Sequence, residues 1–180
     1  MREYIIEARS FRIGLASHNF WVLKDAGAGD TIGELHGLAT NRTTGRIVPI
    51  GTTREHGLRA YVFPHDSSYA ASVALPVKHT RMFSRSQAHV VYEGADGLAR
   101  WSAAVNSIPL LNELDLDYPP WGFNLFRPTV NSNSAYRTFG EIMDVRIHEF
   151  PGAIGPGLAN RMITLQQIDL LRFHPVGVLA

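Results

Sequence analysis

The run Pro128-Thr129-Val130-Asn131-Ser132-Asn133-Ser134-Ala135-Tyr136 holds the residues best suited to chemistry. Asn and Ser are helix-capping types, and Tyr136, Phe139, Ile142 and Met143 follow at helical spacing, so the pattern predicts a helix opening near Ser132 and running to about Met143. At such a helix start, free backbone N–H groups and the positive end of the dipole favour negative charge. A hydroxyl there is placed for attack on a carbonyl, because the oxyanion that forms would meet ready-made donors. The same residues would serve equally well as a plain cap.

Two histidines and a carboxylate belong to one expected hairpin. His18-Asn19-Phe20-Trp21-Val22-Leu23-Lys24 reads as a strand and Asp25 to Asp30 as a turn with two glycines. Thr31 to Ala39 reads as the returning strand. A turn that pairs Lys24 with Asp30 sets His18 opposite His36, whereas a one-residue slip would turn His36 to the other face. Glu34 shares a face with His36 by period two and is placed to orient an imidazole. Each histidine would also suit a hydrogen-bonded place at a sheet edge.

The other six of the eight histidines, His56, His65, His79, His89, His148 and His174, lie among polar or turn residues and read as surface or loop positions. There is no His-Glu-x-x-His pattern, so neither a metal site nor a cofactor is expected. The absence of cysteine excludes disulfides, thiolate ligands and a cysteine nucleophile. A net charge of +1 with scattered Lys and Arg argues against nucleic acid as a partner. With 45% hydrophobic and 18% charged residues, the composition is that of a folded globule. No secretory h-region and no membrane-spanning apolar run is visible, so a soluble protein made in the cytoplasm, or exported by a route needing no such signal, is expected.

Further strands are expected over Glu3 to Ile13, Ile47 to Ile50, Arg59 to Phe63 and Ala88 to Tyr92, with Val73 to Phe83 either strand or irregular. Gly97 to Leu111 fits a helix with Leu98, Trp101, Ala104, Val105 and Ile108 on its inner stripe. Pro151 to Gly157 reads as an irregular loop, and the segment after it shows no assignable pattern. Strands first and helices later predict an α+β fold, a mainly antiparallel sheet packed against a few helices, formed by residues 1–180 as one domain.

The strand His18-Asn19-Phe20-Trp21-Val22-Leu23, the segment Gly33-Glu34-Leu35-His36-Gly37-Leu38 and the helix-opening Asn131-Ser132-Asn133-Ser134 together resemble the circularly permuted papain-like hydrolases. These are relatives of the NlpC-type cell-wall peptidases and of the lecithin-retinol acyltransferase group, and the resemblance implies a permuted papain-like fold. It gives Ser132 the nucleophile's place, His18 that of the general base and His36 that of the orienting residue, a part that Glu34 could also play by its place on the hairpin. Trp121, Phe123, Asn131 and Asn133 are then the candidate substrate contacts.

The departure from that pattern is serine where the family carries cysteine. A serine hydroxyl is much less acidic than a thiol and must be activated by a base during attack. Serine there is compatible with a serine hydrolase, a site that has lost catalysis, or a cysteine replaced by serine. The expected function is hydrolysis or acyl transfer at an amide or ester bond of a small-molecule, peptide or lipid substrate, as in a bacterial cell-wall peptidase, amidase or secreted effector. The rival is an inactive papain-like module that binds a protein partner in a bacterial secretion or toxin system.

Overall fold

The computed structural model describes residues 2–13, 15–48, 51, 54–64, 86–124, 126–152 and 154–175. Its strands are β1 (Tyr4–Ile13), β2 (Ala16–Asp25), β3 (Thr31–Asn41), β4 (His56–Pro64) and β5 (Gln87–Gly94). Its helices are α1 (Gly97–Glu113), α2 (Ser132–Ile142) and α3 (Leu165–Leu171), with a 3-10 turn at Pro120–Gly122. All strand neighbours are antiparallel, in the order β4-β3-β2-β1-β5, so four strands form a meander and β5 returns beside β1. The fold is α+β with an open sheet, as the order of elements predicted.

The β2–β3 turn is built by Asp25. Its carboxylate accepts from the backbone N–H groups of Gly27 (2.8 Å) and Ala28 (2.9 Å), and Gly29 takes φ +72° at the return. Lys24 pairs with Thr31 and Leu23 with Gly33, so a bulge shifts the register from the expected one. Continued along the strands, this register sets His36 opposite Phe20, not His18. Because the displacement is even, His18 and His36 keep a common face.

Alternation divides the sheet cleanly. Ile6, Ala8, Trp21, Leu23, Leu35, Ala39, Leu58 and Ala60 form the main core with Trp101, Ala104 and Leu111 of α1 and with α2. Phe11, Phe20 and Val22 cluster on the opposite face, which also carries His18 and His36. Helix α2 buries Tyr136, Phe139 and Ile142, with Met143 just after its end, as their spacing predicted. Trp21 stacks on Tyr136 at 4.3 Å and donates its indole N–H to the Tyr136 carbonyl at 2.7 Å. Gly140 permits that approach, since a Cβ there would lie 2.5 Å from the Trp21 ring.

The inner stripe of α1 differs from the expected one. Gly97, Trp101, Ala104, Ser107 and Leu111 face inward and Leu98 is exposed, so the buried line is rotated by part of a turn. Ser107 is admitted to the core because its hydroxyl bonds the Ala104 carbonyl. In place of a strand at Ile47, the residue makes one isolated bridge to Thr40. Ile50 and the segment Val73 to Phe83 lie outside the described residues. Helix α3 had no expectation attached, yet Thr164-Leu165-Gln166-Gln167 is a reciprocal capping box. Among the described residues no helix is long and apolar enough to cross a membrane.

Candidate functional site

Glu34, His36 and His18 form one hydrogen-bonded chain. His36 Nε2 lies 3.0 Å from Glu34 Oε2, and His36 Nδ1 lies 3.1 Å from His18 Nε2. The two imidazole planes are 9° apart with centroids at 5.4 Å, the geometry of rings meeting edge to edge in one plane. Phe20 stacks on His36 at 4.6 Å, Phe63 meets it edge-on at 5.7 Å, and Phe11 lies 5.0 Å from His18. Both histidines are buried.

Burial holds His18 well below the usual imidazole range, and His36 beside it adds to the effect. His36 is also lowered by burial, although Glu34 pulls the other way. Both rings are therefore neutral at physiological pH. Glu34 as a carboxylate can only accept, so His36 carries its proton on Nε2 and accepts at Nδ1. His18 must then donate from Nε2, which leaves its Nδ1 as a bare lone pair. Among the described residues Nδ1 has no hydrogen-bond partner. The chain fixes His18 in the tautomer a general base needs.

Helix α2 opens beside this strand for a specific reason. Below Trp21 the β2–β3 ladder ends, and other groups take over that edge of β2. The Asn19 N–H donates to Asn133 Oδ1 at 3.0 Å, and Asn133 Nδ2 donates to the Ser17 carbonyl at 3.0 Å. The Ser17 N–H donates to the Ile154 carbonyl at 3.0 Å. One side-chain amide thus stands in for a strand, and it grips β2 on either side of His18. Gly37 of β3 closes the other side: a Cβ there would collide with Ala135 and sit 3.4 Å from Ser132 Cα.

The N-cap is Asn131, with Ser132 the first helical residue. Asn131 Oδ1 accepts from the Asn133 N–H, and Ser134 Oγ closes the reciprocal bond to the Asn131 N–H at 3.2 Å. Asn131 Nδ2 reaches the Gly122 carbonyl, and Asn133 Nδ2 also reaches that of Pro156. The side chains of both asparagines, expected as substrate contacts, are thus committed to the scaffold. Trp121 and Phe123, the other expected contacts, are 72% and 46% exposed on the loop that Asn131 holds. Trp121 takes φ +58°, a conformation that costs a non-glycine residue.

Ser132 is buried, and its Oγ accepts from the Tyr118 hydroxyl at 3.5 Å. No hydrogen bond joins Ser132 to His18. The histidine side chains lie on the sheet face away from α2, so the two groups could meet only through the opening where β3 leaves β2. Tyr118 was not foreseen as a site residue. Its backbone N–H bonds the His56 carbonyl, and burial raises its pKa more than the Ser132 hydroxyl and backbone N–H lower it. It is a neutral phenol with a proton to give at Ser132. The Asp-Tyr-Pro-Pro setting has no periodicity from which that could be read.

Of the histidines expected on the surface, His56 is buried at the start of β4, because strand pairing with Asn41 draws it in. His89 and His148 stack at 3.8 Å, and His148 is lowered by partial burial, by His89 and by Arg146. His65 and His79 lie outside the described residues. Among the described residues no group of three or more His, Asp or Glu side chains could hold a metal ion.

Compared with protein-family models, curated proteins and solved structures, the chain matches none.

Proposed function

We propose that the protein is a hydrolase or acyl-transfer enzyme of permuted papain-like type that acts on an amide or ester bond through His18 as general base. The carrying observation is the Glu34–His36–His18 chain, which leaves a neutral imidazole with an oriented lone pair that has no partner among the described residues. Burying two imidazoles in line is costly unless each bond is made, so a chain that ends on an open acceptor has a use for it. In this reading Ser132 is the nucleophile. His18 Nδ1 takes its proton as Oγ attacks the carbonyl, and the proton later passes to the leaving group. The Tyr118 hydroxyl, turning from Ser132 Oγ, would donate to the developing oxyanion, where one such donor contributes about 2.7–4 kcal/mol.

A second reading rests on a different observation. Among the described residues Ser132 Oγ has only Tyr118 as a hydrogen-bond partner, and it lies on the other side of the sheet from the histidines. A papain-like module that binds a partner without turnover would have that arrangement. Incubation with a fluorophosphonate followed by intact mass separates the two. One adduct on the wild type, absent from both Ser132→Ala and His18→Ala, supports the enzyme. No adduct on folded wild type, together with no turnover of activated esters, leaves the binding module.

A further inference from the structure

On the opposite side of β2 from the histidine chain lies a cavity of about 310 Å³ lined by Ser17, Asn19, Arg137, Glu149, Phe150 and Leu158, among others. That is at the small end of the range for small-molecule sites. Four elements contribute: β2, α2, the segment after α2 and the Gly155–Ala159 loop.

What marks it is the state of its polar groups. Asn19 is 2% exposed, and its side-chain amide oxygen has no hydrogen-bond partner. Native structures rarely leave such a group unpaired. The Ser17 hydroxyl and the Glu149 carboxylate also have no hydrogen-bond or ion-pair partner among the described residues. Arg137 uses Nε on Glu141 and Nη1 on the Leu158 carbonyl, which leaves Nη2 uncommitted. Glu141 is shared with Arg161, so with Glu149 the corner holds two guanidinium groups and two carboxylates.

The contrast with the neighbouring groups is sharp. Asn131, Asn133, Ser134 and Thr138, one layer away on α2, all spend their side chains on protein partners. Around the cavity, among the described residues, a guanidinium N–H, a carboxylate and a hydroxyl are left over together.

We infer that this cavity binds a small free zwitterion of the α-amino-acid class. Its carboxylate bonds Arg137 Nη2 and the Ser17 hydroxyl. Its ammonium donates to Glu149, and a modest side chain rests on Phe150 and Leu158. The site is independent of the hydrolase reading, since Ser17 and Asn19 turn toward α2 while His18, between them, turns away.

The test is a ligand-observed NMR titration of the full chain with the proteinogenic amino acids and dialanine, with acetate and methylammonium as single-charge controls. Saturable binding of at least one zwitterion is expected, with neither control competing at equal concentration. Glu149→Gln, a change at an exposed position, should weaken binding about tenfold, as loss of one charge-assisted contact does. Arg137→Gln should do the same, while Ser132→Ala should leave binding unchanged. Acetate binding as tightly as the amino acid would mean an adventitious anion only and overturn the proposal. So would the absence of saturable binding by every zwitterion, or a wild-type affinity in Glu149→Gln.

Discussion

His18 Nε2 and His36 Nδ1 are 3.1 Å apart on neighbouring strands although they are not directly opposed, and the bond between them hands the preference of Glu34 on to His18. One carboxylate therefore sets the proton positions on two rings. If His18 is the base, Glu34→Ala should lower turnover of an activated ester by about 10²–10⁴, the range for general-base assistance. The circular dichroism spectrum should stay that of the wild type. An unchanged rate in folded Glu34→Ala would remove the relay from the mechanism.

Both histidines titrate below the ordinary imidazole value of 6.5, mainly because burial penalises the cation. The unfolded chain thus binds more protons than the native one once the pH drops toward 6.5. Their contribution is fully present above that value and is lost as pH falls toward the folded pKa values. Urea unfolding should show a constant midpoint from about pH 8 to 7 and a decline below about 6.5. A His18→Phe/His36→Phe pair should flatten that decline, and an equal slope in both proteins would refute the assignment. Any activity should likewise persist below pH 6.5, because the base stays neutral there.

Most of the strands were legible, and so was the shared face of His18 and His36, because a period of two survives any even slip of register. The slip itself was not legible. The bulge at Leu23/Lys24 depends on how Asp25 captures the turn N–H groups, a choice made by side-chain geometry and not by pattern. In α1, Leu98 fits the stripe by type, but Gly97 takes the inward place against Tyr4, where a Cβ would come within 2.8 Å. Asn133 acts across 116 positions on Ser17, and Tyr118 is set beside Ser132 by a backbone bond to the distant His56, which no local spacing encodes.

Asn133 is the joint between sheet and helix. Its amide serves the Asn19 N–H, the Ser17 carbonyl and the Pro156 carbonyl. Asn133→Ala leaves buried groups unpaired at about 1–3 kcal/mol each. Asn133→Asp should be no better, since a carboxylate keeps the acceptor but faces two carbonyls. Thermal unfolding should therefore rank wild type far above both, and Asp tolerated as well as Asn would break the surrogate-strand argument.

Gly37 is where β3 lets α2 come close. A Cβ there collides with the Ala135 Cβ, so Gly37→Ala should cost about 1–3 kcal/mol through overpacking. The compensating pair Gly37→Ala/Ala135→Gly should be more stable than the sum of the single losses. Strict additivity of the two in urea unfolding would show that the contact is not the constraint.

Ser132 decides between turnover and binding, and its place in α2 makes the test clean. The cap is Asn131, and among the described residues the Ser132 hydroxyl has only the long contact to Tyr118. Ser132→Ala should therefore cost no more than about 1 kcal/mol, one modest hydrogen bond. Loss of ester turnover in that variant at a nearly unchanged melting temperature would be a chemical effect, not an unfolding one. Ser132→Cys is the sharper probe, because a thiol near a helix start and a neutral imidazole ionises far more readily than a hydroxyl. In an enzyme of papain-like chemistry it should keep or raise activity and alkylate rapidly with iodoacetamide. His18→Ala placed on top of Ser132→Cys should abolish that reactivity, since the pair acts as a unit. A thiol that alkylates at the rate of free cysteine with or without His18 would show that no base reaches position 132. The histidine chain would then belong to the sheet's architecture, and the binding-module reading would stand.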